Sequence, residues 1–302
     1  MDFGKIEELD LAGVDFKLPK DTKLTKEVLA SSKAKGDPKI FIGCAKWGRT
    51  DWVGKIYPPK TKTADFLAHY AQHFNSIELN ATFYNLPDRK TITAWKSKVG
   101  SDFLFVPKFT GVITHYRRLK DTTELVDKFL EVMHGLGKNL GPVFLLPHPQ
   151  MAPKQLDTIL HFIDALPRDL ELFVEVRHPD WFTKDGNELW QALRERKKGS
   201  VITDAAGRRD CVHMNLTTPE CFIRFVGNSL HPTDYERIDE WVMRMKAWIK
   251  QGIERIFFFM HQHEELYSPE LIRYTIEKLN KACKLSIPVP VFYSDRESGK
   301  LL

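Results

Sequence analysis

Eight short apolar runs recur along this chain, separated by polar loops and helical stretches. They are KIFIGC (39–44), SIELN (76–80), FLFVPK (103–108), PVFLL (142–146), LFVEV (172–176), SVITD (200–204), CFIRFV (221–226) and RIFFFM (255–260). Most are rich in Phe, Val and Ile, as suits strands buried on both faces. Amphipathic helix candidates follow most of them, at 64–74, 89–99, 122–136, 152–166, 186–198, 235–252 and 268–280. Parallel strands need such crossovers. The segment 205–217 reads as loop and should lack a regular helix. Eight units in about 265 residues predict an α/β fold, a single (β/α)8 TIM-type barrel over residues 38–302. An open doubly wound sheet is the alternative.

Residues 1–37 lack this pattern and read as an N-terminal arm or cap, whose LDLAGVDFKL segment can pack on the barrel. An unstructured tail is the other reading. The rest of the composition is that of an ordinary globular protein: 42% hydrophobic, 28% charged, formal net charge +5. That charge permits an anionic partner without demanding one. Four cysteines with no CxxC pair suggest reduced thiols and a cytoplasmic location. No signal peptide is read at the N-terminus, and no apolar run is long enough to cross a bilayer.

A barrel carries its chemistry at the C-terminal ends of its strands. Polar residues gather there. The first strand leads to Trp47, with Lys46 and Arg49 beside it; the second carries Glu78 and Asn80, followed by Tyr84. The third ends in Lys108 and continues to His115, Arg117 and Arg118. The fifth carries Glu175 and Arg177, then His178 and Trp181; the sixth ends in Asp204 and the seventh holds Arg224. Glu78 with Asn80, and Glu175 with Arg177, are two residues apart and share a strand face. Buried charges of this kind need partners, and such a ring can also be a satisfied ion-pair network without chemistry. Cys44 reads as a small core residue. The HQHEE segment at 261–265 is not an HExxH motif, and no metal is assigned.

These strand ends resemble the domain of unknown function 72 family, also called YecE-like. The stretches that carry the resemblance are IFIGCAKWGRTDWVGKIYPP, HFNSIELNATFYNLP, ITHYRRL and VEVRHPDWF, with Lys108, Asp204 and the arginine of FIRFVG in the same order. It covers roughly residues 39–265 and implies a TIM-type barrel without an established activity. Trp47, Glu78, Asn80, Tyr84, Lys108, His115, Arg118, Glu175, Arg177, His178, Trp181, Asp204 and Arg224 fall where the family keeps its polar mouth. Three positions depart from the pattern: Leu145 in place of a glutamine, Val226 in place of a histidine, and MHQH at the eighth strand end in place of Asn or Asp.

Cations outnumber carboxylates at this mouth, so the expected partner is a small anionic, phosphate-bearing ligand. Arginine suits phosphate because its fork donates two parallel hydrogen bonds. Glu175, Glu78, Lys108 and Asp204 are the candidate catalytic residues: a glutamate as general acid or base, and Lys108 against developing negative charge. Trp47, Asn80, Tyr84, His115, Arg118, Arg177, His178, Trp181 and Arg224 are the candidate binding residues. Hydrolysis or lyase chemistry fits. Hydride transfer does not, since neither GxGxxG nor GxxxxGK[ST] is present, and no cofactor is expected. The alternatives are nucleic-acid processing, a glycosidase-like Glu78–Glu175 pair, and a non-catalytic ligand-binding module.

Overall fold

The computed structural model describes residues 3–32 and 36–297, and all eight strands form in it. They are β1 (Lys39–Cys44), β2 (Ser76–Leu79), β3 (Leu104–Pro107), β4 (Val143–Leu145), β5 (Leu172–Val174), β6 (Gly199–Asp204), β7 (Glu220–Gly227) and β8 (Arg255–Gln262). Every strand pair is parallel. The backbone ladder runs β1-β8-β7-β6-β5-β4 in one curled sheet, with β2-β3 as a second. The expected continuous ladder is therefore interrupted at two seams.

At the β3–β4 seam, two isolated parallel bridges, Phe105 with Leu140 and Lys108 with Phe144, hold the strands together. At the β1–β2 seam, side chains replace the ladder. The Asn75 amide accepts from Ile42 N–H and donates to Ile40 O, each at 2.8 Å. The Tyr70 hydroxyl accepts from Cys44 N–H at 2.7 Å and donates to Ser76 O at 2.9 Å. Gly43 lies so close to the Ser76 carbonyl that a β-carbon there would collide with it.

Strand alternation sorts the core into two layers. The inner faces enclose Val106, Phe144, Leu146, Phe173, Val201, Phe222, Phe257 and Phe259. The outer faces, with Ile42, Ile77, Phe105, Leu145, Val174, Ile202, Ile223 and Phe258, join the helix-covered cluster. The helices are α1 (Lys23–Ser31), α2 (Phe66–Tyr70), α3 (Ala81–Tyr84), α4 (Arg89–Lys96), α5 (Thr123–His134), α6 (Leu156–Asp164), α7 (Asn187–Glu195), α8 (Pro232–Lys250), α9 (Ser268–Cys283) and α10 (Tyr293–Glu297). The helix expected over 64–74 is cut to Phe66–Tyr70, because the chain turns there and delivers Tyr70 and Asn75 to the seam.

Between β6 and β7 there is no α-helix, only a 3-10 turn at Arg209–Cys211. The arm fills the space. Thr25 Oγ1 donates to Met214 O at 2.6 Å and accepts from Leu216 N–H at 2.8 Å. Glu27 pairs with Arg194 of α7, and Asp21 with Arg244 and Trp248 of α8. Leu24, Val28 and Leu29 enter the outer core. Helix α1 thus holds the position a β6–β7 crossover helix would have. Thr22 caps its N-terminus by accepting from Thr25 N–H. Among the described residues no helix is long and apolar enough to cross a membrane.

Candidate functional site

The inner apolar layer ends one residue pair before the C-terminal strand ends, and the next inward positions are polar. Two residues beyond Val106 comes Lys108, beyond Phe173 Glu175, beyond Val201 Thr203, beyond Phe222 Arg224, and beyond Phe259 His261. Arg224 is the hub. Its Nε and Nη2 donate to the two Glu78 oxygens at 2.9 and 2.7 Å, and its Nη1 donates to Glu175 Oε2 at 2.7 Å. Arg177 Nε takes the other Glu175 oxygen at 2.8 Å. Asn80 Nδ2 donates to Glu78 Oε1 at 2.6 Å, and His261 Nε2 lies 3.1 Å from Glu78 Oε2. Glu78, Glu175 and Arg224 are all essentially buried.

This geometry sets the charges. Burial works against ionising Glu175, but Arg177 and then Arg224 outweigh it and hold its carboxyl down to about 2. Burial likewise opposes ionised Glu78, and Arg224 and His261 hold it well below the usual carboxylate range. The two glutamates in turn keep Arg224 charged despite burial. Lys108 differs. Its ammonium sits 4.5 Å from the Phe83 ring centroid and 5.1 Å from that of Phe144. It is 7% exposed, and among the described residues it has no carboxylate within ion-pair distance. Burial, and after it the charge of Arg224, lowers its pKa to about 7. At these strand ends the buried Arg177 Nη2 and Thr203 Oγ1 also have no hydrogen-bond partner among the described residues. Thr203 is the register partner of Arg224.

Of the residues expected from sequence, Glu78, Asn80, Glu175, Arg177 and Arg224 form this one network, with Lys108 beside it but not bonded to it. His115 stands next to Lys108 across Phe83, its ring 4.9 Å from that of Phe83. Burial, then Lys108, lowers its pKa to about 4. It lies on a π-helical turn, Val112–Tyr116, followed by left-handed backbone at Arg118, Leu119 and Asp121. Arg118 reaches Gln150 at 3.1 Å, and Tyr84 is largely exposed, edge-on to Phe83.

The structure does not gather the others into the network. Asp204 faces α8: it accepts from Arg237 at 2.7 Å and Trp241 at 2.6 Å, and pairs with Arg209. Burial opposes its ionisation, and Arg237 and Arg209 overcome it. Trp181 is buried, donating to Met151 O at 2.6 Å, and so offers no stacking face. His178 accepts from Asp180 N–H at the start of the Pro179–Phe182 turn. Trp47 packs edge-on against Trp95 of α4.

Three comparisons place the chain among known proteins. A family model described as protein of unknown function DUF72 matches residues 41–291. The chain belongs to the DUF72 family. It is similar to the UPF0759 protein YecE of Escherichia coli K12, 30% identical over 262 residues that cover 80% of this chain and 93% of that protein. It is also similar to the UPF0759 protein YunF of Bacillus subtilis 168, 28% identical over 151 residues, 48% of this chain and 52% of that one. A DUF72 crystal structure from Thermotoga maritima superposes with a TM-score of 0.61 at 21% identity, covering 82% of this chain and all of the other (100%). One from Enterococcus faecalis gives 0.62 at 17%, covering 82% and 99%. These two likenesses carry the fold alone.

Within this DUF72 chain the three departures have distinct settings. Leu145 lies on the outer face of β4, in the helix-covered core. Val226 is buried two residues beyond Arg224, and its carbonyl accepts from Arg237 at 3.0 Å. His261 of MHQH enters the network, while His263 Nε2 lies 3.2 Å from Asn228 Oδ1. His261, Thr203, Phe83 and Phe144 are not among the site residues expected from sequence, where Phe83 reads only as a ring that can stack on a flat substrate and His261 only as half of a histidine pair that can share a metal. The two-residue period after Phe259 and Val201 was the available signal for the first two. Among the described residues no group of three or more His, Cys, Asp or Glu side chains is arranged to hold a metal ion.

Proposed function

We propose that this DUF72 protein is an enzyme that binds a small anionic, phosphate-bearing substrate at the strand ends and moves a proton with Lys108, in hydrolysis or lyase chemistry. One observation carries the reading: Lys108 is the buried cation left over. Glu78 and Glu175 spend their oxygens on Arg224, Arg177, Asn80 and His261. Held ionised and saturated, they are poor proton donors. They align the guanidiniums while Lys108, with a pKa near neutrality, can take or give a proton at working pH. An anionic oxygen is the group that would satisfy both its ammonium and Arg177 Nη2. The saturated glutamates also favour a second reading, a ligand-binding module without turnover.

The two sheets read as one closed (β/α)8 ring, supported by the bridges at one seam and the Asn75 and Tyr70 stitches at the other. A cytoplasmic setting agrees with four free cysteines.

Calorimetric titration with inorganic phosphate, a nucleoside monophosphate and a neutral sugar tests the function. Phosphate and the monophosphate should bind to the wild type and lose at least about tenfold in affinity in Lys108→Met, as removal of a charge-assisted contact implies. Binding of the sugar alone would overturn the reading. Anion binding without turnover across phosphorylated substrates would favour the binding module.

A further inference from the structure

The tip of the N-terminal arm reaches the site. The Phe3 ring centroid lies 3.8 Å from the guanidinium carbon of Arg177 and 5.2 Å from that of Arg208. Arg208 donates to Arg177 O at 2.7 Å, so the ring meets two arginines that are themselves joined. The next residue holds the tip down: Gly207 N–H donates to Gly4 O at 2.8 Å. Gly4 has φ +68°, and a β-carbon on it would sit 2.6 Å from the Ala205 β-carbon, so this seat admits glycine. The fastening is uneven along the arm. Its root, α1, is locked by buried bonds from Thr25 and by Leu24, Val28 and Leu29 in the core. Its tip rests on three half-buried contacts: the Phe3 ring, the Gly207–Gly4 backbone bond and Ile6 packed against Gly207.

The ring covers a donor it does not satisfy. A π face over a guanidinium attracts its charge but uses none of its in-plane N–H groups. Arg177 spends Nε on Glu175, while its buried Nη2 has no acceptor among the described residues. A buried, unpaired guanidinium nitrogen is costly unless something reaches it.

We propose that residues 3–6 form a hinged cover over Arg177, with Phe3 as the gating residue, and that the tip must swing aside before an anionic oxygen can reach Nη2. The identity of the ligand rests on the function proposed above; the cover itself does not. Opening pivots between Ile6 and the 3-10 turn Glu8–Gly13, because Leu11 is buried and Phe16 O accepts from Arg209 at 3.0 Å, and it breaks the Phe3–Arg177 stack, the Gly207–Gly4 bond and the Ile6–Gly207 contact.

Arginine labelling with phenylglyoxal, read by peptide mass spectrometry on the full chain, tests this without a ligand. Arg177 should be modified about tenfold faster in Phe3→Ala than in the wild type, the scale of one lost cation–π contact, and near the wild-type rate in Phe3→Tyr. Buried Arg224 should stay protected in all three, which reports an intact fold. Equal Arg177 rates in wild type and Phe3→Ala would overturn the cover, as would wild-type labelling of Arg177 as fast as exposed Arg117. Hydrogen exchange on the unmodified wild type gives a second check. The Gly207 amide should exchange faster than the amides of α1; equal protection would again sink the proposal. Added phosphate separates the two readings. Faster labelling in Phe3→Ala with no protection by phosphate would leave the cover standing and remove the anion site.

Discussion

Arg224 shows what a single residue settles in this molecule. Its fork joins glutamates from two different sheets, Glu78 on β2 and Glu175 at the end of β5. Replacing it with Met leaves two buried carboxylates without their shared cation. The expected loss is about 3–5 kcal/mol of stability by urea unfolding; a loss below about 1 kcal/mol would show that the network is solvated. The pH dependence follows from Glu175, whose pKa falls from 4.5 to about 2 on folding. A depressed carboxylate contributes stability that is present above its unfolded value and is lost as pH falls through the folded one. Wild-type stability should therefore decline from about pH 4.5 down to about pH 2, and the decline should be smaller in Arg224→Met.

Lys108 runs the other way. Its pKa falls from 10.5 to about 7, so between those values the unfolded chain holds the extra proton and stability rises with pH. Arg224 and Arg177 face the ammonium and lower this pKa further; Glu175 and Glu78 face it and oppose them. Lys108→Met should be more stable than wild type near neutrality and below, by an amount on the order of 4 kcal/mol that fades toward pH 10.5. A residue retained at that cost is more readily explained by function than by folding. Thermal unfolding of both proteins across pH checks this, and a Met variant less stable at every pH would refute it.

At the scale of elements, α1 is the telling case. It comes from residues that precede β1, yet it packs between α7 and α8 where the β6–β7 connection has no helix. Thr25 alone satisfies two backbone groups of that connection, Met214 O and Leu216 N. Thr25→Ala leaves Leu216 N–H buried and unmet and leaves Met214 O only the long 3.5 Å bond from Thr22 Oγ1, and should cost about 1–3 kcal/mol in global unfolding. If the loss appears only as local fraying of residues 3–32, with the main transition unmoved, α1 is an ornament on the fold and not part of it. The β1–β2 seam makes a related point. Asn75 and Tyr70 stand in for ladder hydrogen bonds, so side-chain chemistry closes a gap that backbone pairing leaves.

For the whole molecule, the balance of charge at the strand ends decides what it should attract. Two carboxylates are neutralised by Arg224 and Arg177, which leaves Lys108 as the excess charge in a poorly screened interior. Rim cations are different: Arg49 is already paired with Asp51. Anion affinity should therefore change by less than about twofold in Arg49→Ala, as for most exposed charges. A large effect there, with none in Lys108→Met, would move the ligand from the inner site to the rim.

The eight strands and their parallel sense were legible in the chain, because a strand buried on both faces needs an unbroken apolar run and because parallel strands need crossovers. The two-residue period also put Glu78 with Asn80, and Glu175 with Arg177, on one face of their own strands, since the pleat alternates whatever the fold. That periodicity could not say which strand-end residues face inward together. Asp204 lies one residue out of phase with Thr203 and so turns to α8, and Trp181 sinks under its own loop. Nor could any local pattern show that Glu78 and Glu175, nearly a hundred positions apart, share one guanidinium. No pattern linked Phe3 to Arg177, or α1 to the empty place between α7 and α8. Local periodicity is dictated by backbone geometry residue by residue, whereas those pairings depend on how distant segments meet, and only the tertiary structure brings them together.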